Sequence, residues 1–201
     1  MTNWIKHPLR LEGERVSLLP LEHEYFDELI DSAHEESIWT FMPIDGTDRT
    51  TLRHLLNQAL LKREKGDQYP FVIFNRLTNR IIGSTSYLKI NKESKSLEIG
   101  WTWYLPEVWG RGYNEECKYL LLKYCFENLD TIRVQIITWD KNLRSRKAVE
   151  RIGAKFEGVL RNAVIRHDGK RNSAYYSIID GEWPEVKDRL LELYRTKYAS
   201  S

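Results

Sequence analysis

The sequence contains little cysteine and no long apolar run. Cys117 and Cys125 are its two cysteines, and its five histidines are scattered along the chain without the spacing of metal ligands. We therefore expect no metal site. Uncharged runs such as 99–106 are far too short to cross a bilayer, and residues 1–14 lack the apolar segment of a secretory signal. These absences favour a cytoplasmic protein without a membrane partner.

The sequence also lacks an excess of either charge. Lysine and arginine number 31 and aspartate and glutamate 29, which gives a net charge of +2. This balance argues against a dedicated nucleic-acid-binding protein. Hydrophobic residues make up 41% of the 201 residues, enough for a sizeable core. Because repeats and linker-like stretches are missing, we expect one domain over 1–201, with an irregular lead-in at 1–14 and a C-terminal helix at 184–201.

The two cysteines lie eight residues apart within one predicted helix. Eight residues of α-helix extend about 12 Å along the axis, whereas a disulfide requires Cα atoms within about 7 Å of each other. We therefore expect two buried free thiols.

Apolar periodicity and turn residues divide the chain into helices and strands. Helical spacing predicts helices at 21–33, 50–65, 114–128 and 145–152 and a last helix opened by Pro184, while 38–43 is typical of an apolar turn or short helix. Strands are predicted at 15–19, 69–75, 81–90, 97–104, 133–139, 155–165 and 171–179, the last two joined at the hairpin signal Asp168-Gly169. The strand–helix–strand unit over 97–139 implies two parallel strands, and the hairpins beside it imply antiparallel pairing. The pattern predicts a mixed sheet with helices packed on it.

Two glycines lie between a predicted strand and the clearest predicted helix. Gly110 and Gly112 permit a tight turn and the close approach of a ligand. The free N–H groups and dipole of the following helix would attract an anion such as a pyrophosphate. The motif is shorter than a dinucleotide-binding fingerprint and lacks the P-loop lysine. It is compatible with a phosphate site and with a plain strand-to-helix turn.

Short motifs follow one another in a characteristic order through most of the chain. They are EIGWTW at 98–103, WGRGY at 109–113, NLRS at 142–145, IGA at 152–154, EGVLR at 157–161, DG at 168–169 and YSI at 176–178. In this order, from about Leu11 to Val186, the chain resembles the GNAT N-acetyltransferases, and more narrowly their RimJ/RimL-like branch, which acetylates ribosomal-protein N-termini. The resemblance implies an α/β (α+β mixed) GNAT-like fold, a splayed mixed β-sheet of about seven strands flanked by helices.

The same resemblance implies an enzyme that uses acetyl-CoA as cosubstrate and no metal. It would transfer the acetyl group to a primary amine, a protein N-terminus or a small amine, by direct attack in a ternary complex. A homodimer is a further expectation. The alternative is a non-catalytic acyl-CoA-binding or sensing module with a degenerate active site. Its support is three departures from the family pattern: Trp109 and Asn114 in the glycine loop, and Val164 where the RimL-like branch has a glutamate base.

By resemblance, acetyl-CoA would lie along the strand that precedes the glycine loop. Loop amides would bind the pyrophosphate, backbone groups at the strand end would pair with the pantetheine arm, and an asparagine after the partner strand would bond the cofactor's amide. The implied cofactor-binding residues are Trp103, Tyr104, Gly110, Arg111, Gly112, Tyr113, Asn114 and Asn142. Asn114 is also expected to cap the helix. Asn142 is equally compatible with a helix cap, and the Trp103 side chain with the core.

Acetyl transfer to an amine requires a neutral amine, a stabilised oxyanion and a proton for the leaving thiolate. Glu98, on the strand beside the proposed cofactor, is the candidate base, acting through water, and a structural hydrogen-bonding residue is the alternative. Ser145 matches the serine that the RimL-like branch places near the thiolate. It is equally compatible with a small residue at a helix N-terminus.

The region between the first predicted helices contains acidic and aromatic residues suited to a cationic amine. The family builds its acceptor wall there, so His34, Glu35 and Trp39 are the candidate substrate residues. Basic residues cluster around helix 145–152 and are compatible with CoA phosphates or with a solvated helix face. They are Lys141, Arg144, Arg146, Lys147 and Arg151.

Overall fold

An eight-stranded mixed sheet forms the centre of the computed structural model, which describes residues 3–166 and 169–200. The strands are β1 Leu11–Glu12, β2 Val16–Pro20, β3 Gln68–Asn75, β4 Arg80–Asn91, β5 Ser96–Tyr104, β6 Arg133–Trp139, β7 Lys155–Arg166 and β8 Gly169–Ile179. The α-helices are α1 Phe26–Ser32, α2 Glu36–Trp39, α3 Arg49–Lys65, α4 Tyr113–Asn128, α5 Leu143–Arg151 and α6 Trp183–Ala199.

The strand order across the sheet is β1-β2-β3-β4-β5-β6-β8-β7. β5 and β6 are parallel, and the other neighbouring strands are antiparallel, which confirms the predicted mixed sheet. The additional strand is β1, inside the predicted irregular lead-in, where Leu11 pairs with Leu18. Two residues are too few to show an alternating pattern in the sequence. The predicted turn at Asp168 lies outside the described residues.

Apolar side chains form two core clusters because successive residues of a strand face opposite sides of the sheet. Phe71 and Ile73 of β3 belong to the cluster that includes the apolar side chains of α4 and α6. Val72, between them, belongs to the cluster that includes those of α1, α2 and α3. Helices therefore cover both faces of the central strands.

The parallel strands β5 and β6 stay together over a short distance. Ser96 pairs with Arg133, Leu97 with Val134 and Glu98 with Gln135, and no further pairs follow. Beyond Glu98, β5 contains a bulge against β4 in which Trp101 adopts a left-handed backbone conformation with φ of 50°. The two strands therefore diverge and leave a cleft between them.

Helix ends differ from the predictions where a cap cannot be identified by residue type alone. Gly112, with φ of 92°, is the N-cap of α4, so the expectation that Asn114 caps this helix is wrong. The Asn142 side chain caps α5 by accepting a hydrogen bond from Ser145 N at 3.0 Å, and the helix begins two residues earlier than predicted. The helix predicted at 21–33 is shorter, because a 3-10 turn at His23–Tyr25 precedes α1.

Glu116 joins α4 to two segments distant in sequence. Its buried carboxylate accepts hydrogen bonds from the backbone N–H groups of Glu14 and Arg15 and from the Tyr198 hydroxyl of α6. Arg15 also donates to the Tyr198 carbonyl oxygen at 2.9 Å. The first turns of α4 are thus fixed by the segment before β2 and by the last turns of α6.

Cys117 and Cys125 are free and fully buried, which confirms the prediction of two unpaired thiols. Burial raises the pKa of each thiol to about 12. Across residues 3–166 and 169–200, no helix is long and apolar enough to cross a membrane. In the same ranges, no group of three or more His, Cys, Asp or Glu side chains could hold a metal ion.

Candidate active site

A cleft of about 530 Å³ lies between the diverging strands β5 and β6. Residues 98–104 of β5 form one wall, and 136–139 of β6 together with α5 form the other. The first turns of α4 contribute Asn114, Glu115 and Lys118. The fold thus brings the predicted residues Glu98, Asn142 and Ser145 to one cavity.

The glycine loop presents a helix N-terminus to this cleft. The first helical hydrogen bond of α4 runs from Glu116 N to Gly112 O at 3.0 Å, so the amides of residues 113–115 precede it and have no partner within the helix. A Cβ atom at Gly110, where φ is 78°, would have no atom within 4 Å. The space in front of Gly110 is therefore open, as a bound phosphate requires.

Gly112 has a different role from Gly110. A Cβ atom there would lie 3.0 Å from a ring carbon of Tyr198 and 3.1 Å from the carbonyl oxygen of Tyr194. Its φ of 92° also disfavours a side chain. Gly112 therefore allows α6 to pack against the start of α4.

The side chains of the other loop residues lie outside the cleft or fix the loop. Arg111 is exposed and does not line the cleft, and the Tyr113 hydroxyl accepts a hydrogen bond from Asn75 in the interior. Trp109 donates from Nε1 to the Tyr104 carbonyl oxygen at 2.9 Å, and the Arg144 guanidinium lies 4.0 Å above its ring. The backbone amide of Tyr113 can therefore be offered to an anion, whereas the amide of Arg111 donates to the Val108 carbonyl oxygen at 3.4 Å.

The backbone of β5 alternates between β4 and the cleft. Leu105 N donates to Ile82 O on the β4 side at 2.9 Å, and a Cβ atom at Gly83 of β4 would collide with the Trp103 carbonyl oxygen. Because neighbouring residues face opposite sides, Thr102 and Tyr104 direct their backbone groups toward the cleft. The Trp103 carbonyl oxygen therefore faces β4, and the Trp103 side chain packs on Trp39 in the core.

Glu98 lies at the inner end of the cleft, where β5 and β6 are still paired. It is buried, and its Oε2 accepts a hydrogen bond from Gln135 Nε2 at 3.0 Å and an ion pair from Lys89 Nζ at 2.9 Å. These two partners hold the carboxylate in one orientation. Glu98 therefore makes the contacts expected of a structural hydrogen-bonding residue, and it also lines the cleft.

The predicted acceptor residues do not line the cleft. His34 is exposed and its Nδ1 lies 2.7 Å from the Asp31 carbonyl oxygen, and Glu35 is exposed beside it. Trp39 is buried and donates from Nε1 to the Ala33 carbonyl oxygen at 2.7 Å. The residues of this region that do line the cleft are apolar: Ile38, Phe41, Met42 and Pro43. His34 and Glu35 therefore contribute no side chain to this cleft.

The basic cluster is divided by the structure. Arg144 and Arg151 line the cleft, whereas Lys141 and Lys147 are exposed outside it. Arg146 donates from Nε to the Tyr176 hydroxyl at 2.8 Å. Val164, at the position of the missing glutamate base, also lines the cleft. Val164 has no group that can accept a proton, and its partner on β8, Arg171, also lines the cleft.

Lys118 is a cleft residue that sequence reasoning missed. It is 5% exposed, and its Nζ donates to the Thr102 hydroxyl of β5 at 3.2 Å. Burial lowers the pKa of its ammonium to about 8. A signal was present in the sequence: Lys118 is four residues after Asn114 and seven before Cys125, on one face of the helix. A charged residue on a face that continues into buried positions indicates a functional site or a buried partner.

Comparison with known proteins agrees with this geometry. Residues 15–155 match the model of the acetyltransferase (GNAT) domain. The crystal structure of a GCN5-related N-acetyltransferase from Brucella melitensis has a TM-score of 0.85 and 25% identity, over 93% of this chain and 86% of that one. RimJ of Mycobacterium smegmatis, in complex with CoA-disulfide, has a TM-score of 0.77 and 20% identity over 92% of each chain.

The sequence is also similar to a protein whose name refers to the ribosome. YdaF of Bacillus subtilis (strain 168), provisionally named a ribosomal N-acetyltransferase, is 31% identical over 107 residues, which is 53% of this chain and 58% of YdaF. The matched family region contains the diverging strands, the glycine loop and all of α4. The chain therefore belongs to the GNAT acetyltransferase family.

Proposed function

We propose that this chain transfers the acetyl group of acetyl-CoA to a primary amine by direct attack in a ternary complex. The observation that carries the proposal is the divergence of β5 and β6 beyond three paired residues, with the N-terminus of α4 at the cleft. An extended pantetheine arm fits between such strands as an added strand, and a helix N-terminus suits its pyrophosphate. GNAT acetyltransferases as a family use acetyl-CoA.

The residues present fit this cosubstrate. The amides of residues 113–115 and the open space at Gly110 accept a phosphate, and the backbone groups of Thr102 and Tyr104 face the arm. Glu115 places a carboxylate in the same helical turn, which would repel a phosphate. Its charge is countered by an ion pair with Lys197 of α6. Arg144 adds a cation at the cleft.

In the proposed chemistry, Glu98 acts on the amine and Ser145 stabilises the sulfur by hydrogen bonding. An ammonium must lose a proton before its nitrogen attacks the thioester carbonyl. Glu98, held by Lys89 and Gln135 at the inner end of the cleft, takes that proton through water. Ser145 of α5, on the opposite wall, donates a hydrogen bond to the sulfur as the thiolate develops.

The acceptor enters beside the apolar residues of the 38–43 segment. Phe41 packs against Trp139 of β6, with ring centroids 5.9 Å apart, so aromatic surface links the two sides of this opening. We propose an amine with apolar groups next to the nitrogen, as in a peptide N-terminus or a small amine. Because YdaF is named as a ribosomal N-acetyltransferase, the amines to be tested include ribosomal-protein N-termini. We further propose that the whole chain acts as a single domain, since both core clusters share one sheet.

The test is an assay of free CoA thiol with acetyl-CoA and a panel of amines. The panel contains N-terminal peptides of ribosomal proteins and small primary amines, and the same peptides with blocked N-termini are the matched control. Turnover with a free amine and none with its blocked form supports the proposal. If calorimetry detects acetyl-CoA binding but no amine is acetylated, the non-catalytic acyl-CoA-sensing module is favoured instead. Absence of acetyl-CoA binding would contradict the assignment of the cleft.

A further inference from the structure

Lys118 places a buried ammonium on the wall of the cleft. Its Nζ donates to the Thr102 hydroxyl, which in turn shares a hydrogen bond of 2.7 Å with the Thr85 hydroxyl. None of the ion pairs between described residues includes Lys118. A buried charge held only by hydroxyl groups destabilises the fold. This cost suggests a role in function.

The position of Thr102 shows which part of the cosubstrate Lys118 would meet, and this step rests on the proposed function. β5 and β6 are paired up to Glu98, and Trp101 is bulged. Thr102 follows Trp101 within this bulge, between Gly100 and Trp103, the residues that pair with β4. If the arm extends inward from the loop as an added strand along Tyr104, its thioester end reaches Thr102. The Lys118 ammonium, 3.2 Å from the Thr102 hydroxyl, then lies next to the sulfur.

We propose that Lys118 is the proton donor to the CoA sulfur. The amine nitrogen forms a bond to the thioester carbonyl carbon, and the carbon–sulfur bond then breaks with its electron pair passing to sulfur. One proton moves from Lys118 Nζ to that sulfur, which gives the CoA thiol and a neutral lysine. The nitrogen, which enters as an ammonium, loses two protons: the first passes through water to Glu98 before attack, and the second leaves the adduct through water to solvent. Lys118 regains its proton from solvent after product release, so no further reactant is needed.

The charge environment suits this role. With a pKa of about 8, the ammonium is mostly protonated at neutral pH and is close in acidity to a thiol, whose ordinary pKa is about 8.5. A matched donor transfers its proton efficiently. The carboxylates nearby are already paired: Glu115 with Lys197 of α6, and Glu98 with Lys89 of β4. The buried thiol of Cys117 also faces Lys118. The cations Arg144 and Arg151 lie on the α5 side of the cleft.

The first experiment needs no acceptor and uses CoA itself as the probe. If the ammonium lies beside the sulfur, it stabilises the thiolate of bound CoA, which is measured by the ultraviolet absorbance of the thiolate across a pH series. We expect the thiolate fraction of CoA bound to wild type to exceed that of Lys118→Met by about tenfold. Lys123→Met, which removes an exposed lysine of the same helix, should match wild type. Desulfo-CoA, which has no thiol, should bind wild type and Lys118→Met equally.

The second experiment measures turnover on an amine identified by the panel. Lys118→Met should lower kcat by about 10²-fold or more with acetyl-CoA affinity within about twofold of wild type. The alkaline limb of the wild-type kcat profile, near pH 8, should be absent from the residual activity of Lys118→Met. Equal thiolate fractions in wild type and Lys118→Met would overturn the proposal, as would an unchanged kcat. Failure of the wild-type protein to bind CoA would instead contradict the proposed function. The failure of the Lys118 proposal and the failure of the proposed function therefore give different results.

Discussion

Replacing Lys118 by methionine should make the protein more stable at neutral pH. Methionine has a similar length and no charge, so it fills the same space without a buried ammonium. Burial lowers the Lys118 pKa from 10.5 to about 8. This difference corresponds to about 3 kcal/mol, because one pKa unit is worth about 1.4 kcal/mol. The lost hydrogen bond to Thr102 costs about 1 kcal/mol, which leaves a net gain of about 2 kcal/mol in the free energy of unfolding.

The pH dependence of this gain follows from the direction of the pKa shift. Between pH 8 and 10.5 the unfolded chain binds more protons at Lys118 than the folded chain does, so wild-type stability rises with pH through this window. Below pH 8 the penalty is present in full. Urea unfolding of wild type, Lys118→Met and the control Lys123→Met should show the gain at about pH 7 and a much smaller one above pH 10. A Lys118→Met protein less stable than wild type at neutral pH would refute the reasoning.

Three further predictions concern the cleft. Glu98→Gln keeps the size of the side chain but removes the titratable group. The value of kcat/KM should therefore fall by about 10²-fold, and the acidic limb of the pH–rate profile should move. An unaltered profile would exclude Glu98 as the base. Ser145→Ala should lower kcat while calorimetry finds acetyl-CoA affinity unchanged, since the thiolate develops only during reaction. Gly110→Val, which fills the open space before the loop, should weaken acetyl-CoA binding by tenfold or more in a calorimetric titration, an effect of about 1.4 kcal/mol. Gly158→Val, at another glycine with positive φ and an open surrounding, is its matched control and should bind normally.

Periodicity in the sequence predicted most elements because local patterns determine them. The helix at 50–65 and the strands 69–75 and 133–139 agree with the structure to within one residue, since apolar spacing and the stop at Gly66 are properties of neighbouring residues. The start of α4 also agrees to within one residue, but its N-cap is Gly112 instead of Asn114, which is a good cap by residue type. Packing of Gly112 against Tyr198, more than 80 residues away, sets that helix end, and no local pattern reports it.

The candidate site was predictable in part for the same reason. Motif order located Glu98, Asn142 and Ser145, which the fold brings to one cleft. Trp39 was assigned to the acceptor wall because it lies in the right segment, yet its side chain turns inward to Ala33 while its neighbour Ile38 faces the cleft. Lys118 was overlooked because its burial depends on Thr102 of another strand. Segment position is thus readable from sequence, whereas side-chain direction depends on tertiary contacts.

The hydrogen bonds at Glu116 have a consequence for the order of events during synthesis. The helix that presents its N-terminus to the cleft is held by Arg15 near one end of the chain and by Tyr198 near the other. Until residue 198 has left the ribosome, the carboxylate of Glu116 lacks one of its partners and Gly112 has no α6 to pack against. Because α6 follows β8 in the chain, the sheet between β2 and β8 can form before the start of α4 is completed. We therefore expect the N-terminus of α4 to be fixed after the sheet has formed.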